Sequence, residues 1–255
     1  MDDQEGISVT YTGKIGIITQ ARATSTRLPA KVLLTAAGRS YLEHHVERLA
    51  ATGLPVIVAT TTNVDDDPIV ILTEKLGLPV FRGSEEDVLS RFAGAATQYG
   101  LDGVVRVTSD CPLIDAEVVA TGVDRWRAEG DESLYLSNCL ERTYPRGMDY
   151  EVFSTARLLE ADAKATLQAD REHVTSYLHQ NRPGDIRLQN VAWSGGNGSQ
   201  YRLCLDTEDD RQLLTALYEE HDAGTLHCAD LVRILTEHPE LTALNAHIEQ
   251  KKLGE

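Results

Sequence analysis

Residues 14–31, KIGIITQARATSTRLPAK, decide the fold of this chain. Ile15, Ile17 and Ile18 predict a short buried strand, and the chain leaves that strand through a loop rich in hydroxyl groups and cations. The cations of this loop, called the basic loop below, are Arg22, Arg27 and Lys31. Ligands of open α/β sheets bind beyond the carboxyl ends of the strands, and guanidinium and ammonium groups together can hold linked phosphates. The stretch therefore predicts a binding site for a nucleoside triphosphate.

The charge of the whole chain makes this cluster unusual. The 255 residues carry a formal net charge of -16, yet no carboxylate occurs between residues 6 and 42. Cations on a surface loop are often only solvated, and that interpretation stays open, but the position after the first strand favours a binding site. The acidic balance argues against general binding to nucleic acid or to an anionic membrane. The loop is neither a Walker A sequence nor a GxGxxG motif, which argues against P-loop kinases and classical dinucleotide dehydrogenases.

The rest of the composition predicts a cytoplasmic enzyme. The four cysteines show no CxxC spacing and are expected to be reduced thiols rather than zinc ligands or disulfides. The amino terminus is acidic where a secretory signal would be basic, and no apolar run approaches ~18 residues.

Strands alternate with helices along the first half of the chain. Apolar runs predict strands at residues 14–19, 55–61 and 104–108, with a short strand around Val80, and amphipathic segments lie between them. This alternation indicates βαβ units and a mostly parallel sheet flanked by helices. A further strand is predicted at residues 201–206.

The domain organisation is predicted as one unit with an insertion. Residues 1–13 are expected to be a flexible lead-in, and residues 14–255 a single domain. A smaller mixed or antiparallel excursion at about residues 133–195 would bind the second substrate and mediate dimerisation. Its aromatic side chains are expected at the surface, a residue type enriched in interfaces; they are Tyr135, Tyr144, Tyr150 and Phe153.

Two aspartates follow predicted strands. Asp110 ends VTSD and Asp206 ends CLD. Mg²⁺ takes one or two carboxylates together with phosphate oxygens, so the pair could hold a metal on the nucleotide. For Asp206 a helix cap is an equal alternative, because acidic residues follow it at the start of a helix.

Three further clusters are candidates for base and acceptor binding. Arg82 and Gly83 precede a helix and could approach a base or ribose, whereas Ser84 and Asp87 favour a capping arrangement. In PRGMDYEVF, residues 145–153, paired carboxylates could accept sugar hydroxyls or ammonium groups, or simply face solvent. In DREHVT, residues 170–175, a histidine near carboxylates is more often structural than catalytic.

The motifs occur in an order that resembles the spore-coat polysaccharide biosynthesis cytidylyltransferases, a family similar to the CMP-sialate and ketodeoxyoctonate cytidylyltransferases. The matching stretches are QARATSTRLPAKVL, VATTTNVDDDPIV, VFRGSEEDVLSRF, RVTSDCPLID, PRGMDYEVF, DREHVTSYL and LCLDTEDD. The resemblance covers about residues 14–245. It implies a Rossmann-like nucleotidyltransferase fold, commonly dimeric, that transfers CMP from CTP to a sugar hydroxyl with Mg²⁺ and releases pyrophosphate.

The resemblance also assigns roles to residues. It implies that Asp110 and Asp206 are metal ligands and that Arg22 and Lys31 act with them in catalysis. The implied nucleotide-binding residues are Ala21, Arg22, Ser25, Arg27, Lys31, Ala59, Thr60, Arg82, Ser84 and Asp110. The implied acceptor-binding residues are Asp149, Glu151, Arg171 and His173. Ala30 stands where the family usually has Gly, and the Cβ atom of alanine disfavours a positive φ in the loop.

The prediction is thus a Mg²⁺-dependent cytidylyltransferase acting on CTP and a small sugar acid-like acceptor as a homodimer. Two alternatives remain. A nucleotidyltransferase for a sugar 1-phosphate or phosphonate would need a cationic subsite near residues 149–151, for which Arg142, Arg146 and Arg171 are available. A non-catalytic nucleotide-binding scaffold would be favoured if Asp110 or Asp206 turned away from the basic loop.

Overall fold

The fold is described here from a computed structural model of residues 11–249, so most of the expected lead-in, residues 1–10, lies outside the described residues. The strands are β1 (Ile15–Gln20), β2 (Thr35–Ala36), β3 (Arg39–Ser40), β4 (Val56–Thr61), β5 (Val80–Gly83), β6 (Gly103–Thr108), β7 (Leu134–Ser137), β8 (Glu151–Ser154) and β9 (Arg187–Asn190). The α-helices are α1 (Tyr41–Ala50), α2 (Asp67–Lys75), α3 (Val88–Gln98), α4 (Ala116–Glu129), α5 (Thr155–Lys164), α6 (Gln168–His173), α7 (Ser176–His179), α8 (Glu208–Glu220), α9 (Cys228–Glu237) and α10 (Pro239–Ala243).

A seven-stranded sheet organises the molecule, in the order β5-β4-β1-β6-β8-β7-β9. Strands β1, β4, β5 and β6 pair in parallel, whereas β8 runs antiparallel to both β6 and β7. From β1 the chain builds β4 and β5 on one side and then crosses to β6 on the other side. This switch point is where doubly wound sheets bind ligands, beyond the carboxyl ends of β1 and β6.

Apolar side chains of β1 enter the core on both sheet faces. Ile17 belongs to one apolar cluster with Leu42 of α1 and Trp126 of α4. Ile18 belongs to a second cluster, with Phe92 of α3 and Leu158 of α5. A continuous apolar run is therefore required in this central strand. The predicted mostly parallel α/β fold is confirmed.

The excursion differs from its prediction in one respect. Strands β7, β8 and β9 extend the main sheet, and the four aromatics expected at the surface are all buried, the most exposed being Tyr144 at 7%. The expectation of surface aromatics is therefore wrong. Tyr135 and Phe153 lie in strands whose side chains are buried, and Tyr144 and Tyr150 lie outside the strands but belong to apolar clusters of the core.

Residues 201–206 do not form the predicted strand of the sheet. This segment makes one isolated bridge, between Arg146 and Arg202, and packs with α8 and α9 in a separate apolar cluster. Its apolar alternation reflects burial against those helices, which periodicity alone does not distinguish from a sheet strand.

No helix within residues 11–249 is long and apolar enough to cross a membrane.

Candidate active site

A cavity of about 600 Å³ opens at the carboxyl ends of β1 and β6. The basic loop forms one wall and the loop after β6 forms the floor. The segments around residues 139–151 and 172–179 form the opposite wall. Ten of the predicted site residues line it: Ala21, Arg22, Ser25, Arg27, Lys31, Asp110, Asp149, Glu151, His173 and Asp206.

The basic loop is held in place by backbone hydrogen bonds. The Ala23 amide donates to Asp66 Oδ1 at 2.6 Å, and the Ala30 amide donates to the Ala23 carbonyl at 2.9 Å. Ala30 has a φ of 50°, in the left-handed region, and precedes a single 3₁₀ turn at Lys31–Leu33. This turn directs Lys31 into the cavity. The resemblance implied a glycine at position 30, and the alanine adopts the left-handed conformation there at a cost in backbone strain.

Lys31 connects the two predicted metal ligands. Its Nζ donates to Asp110 Oδ2 at 3.1 Å and to Asp206 Oδ1 at 2.7 Å, while Arg27 Nη2 lies 3.3 Å from the same oxygen of Asp206. Burial raises the pKa of Asp110, but the charge of Lys31 and the hydrogen bonds from Thr108, Lys31 and Cys111 together outweigh it and bring the value to about 2. Burial likewise lowers the pKa of Lys31, and the two carboxylates outweigh it and raise that pKa. At neutral pH Lys31 and Asp110 are therefore both charged, and Asp206 accepts a hydrogen bond from the same ammonium group.

Backbone contacts explain why Asp110 and Asp206 meet. The Leu205 amide donates to the Asp110 carbonyl at 2.7 Å, which places the side chain of the next residue beside Asp110. Arg202 Nη2 holds the second oxygen of Asp206 at 2.7 Å. The cap alternative for Asp206 is wrong, because Thr207 is the N-cap of α8 and forms a capping box with Asp210. The helix after Asp110 starts only at Ala116, with Asp115 as its cap.

The donor set of this pair fits Mg²⁺. Both aspartates present hard carboxylate oxygens to one common cation, and within the described residues no group of three or more His, Cys, Asp or Glu side chains could hold a metal by itself. Mg²⁺ usually binds through one or two carboxylates and substrate phosphate oxygens, which matches two aspartates beside a cationic loop. Asp110 and Asp206 would hold the ion.

The predicted acceptor carboxylates are both engaged by arginines. Arg142 donates to the two oxygens of Asp149 at 2.6 and 2.8 Å. One oxygen of Glu151 pairs with Arg106, and the other accepts from the hydroxyl groups of Tyr135 and Thr175. Burial raises the pKa of Glu151, but Arg106 and these hydrogen bonds outweigh it and lower that pKa. Glu151 is thus a buried anion that orients its neighbours.

Five predicted site residues lie outside the cavity lining: Ala59, Thr60, Arg82, Ser84 and Arg171. Arg82 donates to the carbonyls of Thr61 and Asn63 and pairs with Asp67. Arg171 pairs with Asp87 and Asp162. Their binding roles stay predictions of the resemblance.

Several cavity residues escaped the sequence analysis. They are Arg91, Arg106, Thr175, Ser176 and His179. Arg91 carried a detectable signal, since it lies between Val88 and Phe92 on a helix whose buried face is otherwise apolar. Thr175 and Ser176 follow Val174, whose φ of 60° ends α6 and separates it from α7. No local pattern predicts that break, because β-branched residues rarely adopt a positive φ.

The sheet, its switch-point cavity and a cationic loop facing two carboxylates define a nucleotide-binding enzyme of the nucleotidyltransferase class. A family model for cytidylyltransferases matches residues 16–238, and the chain belongs to this family. The scaffold alternative is overturned, because Asp110 and Asp206 both face the basic loop in a member of an enzyme family.

Individual relatives support the same assignment. The chain is 30% identical over 232 residues to the spore coat polysaccharide biosynthesis protein SpsF of Bacillus subtilis, covering 88% of this chain and 94% of that protein. It is 34% identical over 110 residues to a 3-deoxy-manno-octulosonate cytidylyltransferase of Geobacter metallireducens, covering 42% of each chain. A solved cytidylyltransferase structure from Leptospira borgpetersenii matches with a TM-score of 0.86 and 32% identity, covering 94% of this chain and 100% of that one.

Proposed function

We propose that this cytidylyltransferase transfers CMP from CTP to a hydroxyl group of a sugar acid-like acceptor, with Mg²⁺ as cofactor and release of pyrophosphate, in the cytoplasm. The observation that carries the proposal is Lys31 bonded to both Asp110 and Asp206 at the edge of a cavity whose adjoining wall holds Arg22 and Arg27. This arrangement provides a cation site for the α-phosphate next to cationic donors for the two phosphates that leave.

The reaction is a displacement at the α-phosphorus. The acceptor hydroxyl oxygen forms a bond to that phosphorus. The bond between the α-phosphorus and the oxygen that bridges the α- and β-phosphates breaks. Pyrophosphate then leaves with the electron pair while the hydroxyl proton is lost to water. Arg22, Arg27 and Lys31 stabilise the negative charge that develops on the pyrophosphate. Bound Mg²⁺ would stabilise charge on the α-phosphate oxygens.

The cavity wall that lies opposite the basic loop and carries Asp149 and Glu151 holds its polar groups in fixed positions before a substrate binds. The pairs Arg142–Asp149 and Arg106–Glu151 are fixed within the protein, so they present oriented donors and acceptors without reorganisation. The names of the Bacillus and Geobacter relatives support a sugar acid of a polysaccharide as the acceptor class. The sugar 1-phosphate alternative gains less support, because Arg142 and Arg171 are both paired with carboxylates and Arg146 does not line the cavity.

Pyrophosphate release tests the proposal. Purified protein is incubated with each nucleoside triphosphate and a panel of nonulosonates, octulosonates, phosphonates and sugar phosphates. We expect release with CTP and a sugar acid, loss of release in EDTA, and recovery on addition of Mg²⁺. Release only with a sugar phosphate or phosphonate, or preference for another nucleotide, would contradict the proposal.

A further inference from the structure

Arg91 is a buried cation on the wall of the active-site cavity. Its side chain is part of α3, the residue is 2% exposed, and it lines the cavity together with Arg22 of the basic loop. Arg91 Nη1 donates to the Ser84 carbonyl at 2.6 Å. Nε is buried without a hydrogen-bond partner, and neither it nor Nη2 donates to any group within residues 11–249.

The side of a guanidinium that carries Nε and Nη2 is the side that binds two oxygens of one anion. Arg202 uses it in this way, with Nε at 2.9 Å from Asp210 Oδ1 and Nη2 at 3.2 Å from Asp210 Oδ2. Arg91 has no carboxylate within 4.0 Å in the described part of the chain, so this binding edge serves no internal anion.

The carboxylates nearest in electrostatic effect are committed elsewhere. Asp66 accepts from Ala23, Thr60 and Thr61. Glu85 accepts from Thr24 and Asn63 and pairs with Arg22, and Asp87 is held by Arg171. Burial, followed by repulsion from Arg22, lowers the pKa of Arg91 to about 10, so the group is still charged at neutral pH. A buried cation without a paired anion is costly, and the cost falls when an anion binds.

We propose that Arg91 binds a phosphate group of the nucleotide through its Nε and Nη2 edge, as a fourth cation beside Arg22, Arg27 and Lys31. The location beside Arg22 favours a phosphate of the nucleotide over an anionic group of the acceptor, because Arg22 belongs to the basic loop. The identity of the anion rests on the proposed function, whereas the binding edge itself does not.

Binding of inorganic tripolyphosphate tests the proposal independently of catalysis. Isothermal titration compares the wild type with Arg91→Met, which removes the charge, and Arg91→Lys, which keeps the charge and loses the two-point edge. CTP and cytidine are titrated in parallel. Arg233→Met, on the exposed face of α9, is the matched control.

Each charge-assisted hydrogen bond is worth roughly a tenfold to hundredfold change in affinity, so Arg91→Met should weaken tripolyphosphate and CTP binding by at least about tenfold. The affinities of Arg91→Lys for tripolyphosphate and CTP should lie between those of the wild type and those of Arg91→Met. The affinity for cytidine should not change in either variant. The melting temperature of the ligand-free Arg91→Met protein should not fall, because an unpaired buried cation is removed. A purely structural role would lower it.

Unchanged tripolyphosphate affinity in Arg91→Met would overturn the proposal. Equal weakening of cytidine would also overturn it, since Arg91 would then bind the base. If the wild type binds tripolyphosphate through Arg91 but shows no CMP transfer, the proposed function fails and the anion site stands.

Discussion

Ala30 shows how a single residue shapes the phosphate wall of the cavity. Its φ of 50° lies in the left-handed region, which costs an L-residue roughly 1–2 kcal/mol. The resemblance implied a glycine at this position, and the structure shows why, since the chain must turn there to direct Lys31 at the aspartates. The alanine keeps the turn and restricts the loop.

Replacing Ala30 by Gly should therefore stabilise the protein. The relieved strain exceeds the added entropy of the unfolded chain, leaving a gain of about 1 kcal/mol in the free energy of unfolding. Urea unfolding measures the change. Ala120→Gly within α4, where φ is helical, is the control and should lose about 1 kcal/mol. A loss of stability in Ala30→Gly as large as in the control would show that the turn is not strained.

At the scale of elements, α1 supports the floor of the active site through His45. This residue is fully buried, with Nε2 at 2.8 Å from Thr19 Oγ1 on β1 and Nδ1 at 2.9 Å from the Cys111 carbonyl after β6. Because a carbonyl can only accept, Nδ1 carries the proton and Nε2 accepts from the hydroxyl. The helix thus fixes the loop that bears Asp110.

Burial lowers the pKa of His45 to about 4, which makes stability depend on pH. Between pH ~6.5 and ~4 the unfolded chain takes up a proton that the folded protein does not, so the free energy of unfolding falls as pH is lowered. When the pH is lowered from 7.5 to 5.0, we expect the free energy of unfolding of His45→Gln to fall by about 2 kcal/mol less than that of the wild type. Urea titrations at both values measure this, with exposed His247→Gln as control. Equal losses in His45→Gln and wild type would refute the buried neutral histidine.

Local sequence patterns predicted which segments form helices and strands better than they predicted which residues contact one another. The apolar runs of β1, β4 and β6 and the helices after them follow from side-chain periodicity, which acts over a few residues. Periodicity could not place residues 201–206, because burial against α8 and α9 produces the same alternation as a sheet strand. It also could not reveal that Glu151 is fully engaged by Arg106 and Thr175, since those partners come from other elements.

At the scale of the whole molecule, topology assembles the site from distant segments. Lys31 and Asp206 are 175 positions apart in the chain, and they meet because residues 201–206 run back beside the loop after β6. The resemblance implied both aspartates as ligands, but the ammonium ion between them was visible only in three dimensions. A homodimer also stays a prediction of the resemblance, and the buried aromatics of residues 135–153 cannot form its interface.

The turnover of Asp110→Asn and Asp206→Asn shows whether these two carboxylates form one cation site for CMP transfer. Each change keeps the side-chain volume and removes a hard anionic ligand, and loss of such a partner in the transition state costs at least ~3 kcal/mol, or about a hundredfold in rate. Steady-state pyrophosphate release is measured beside Asp124→Asn, an exposed control on α4, with melting temperatures showing that each variant is folded. We expect folded proteins that are at least about a hundredfold slower for both aspartates and an unchanged control. Turnover near that of the wild type in either folded variant would contradict this expectation.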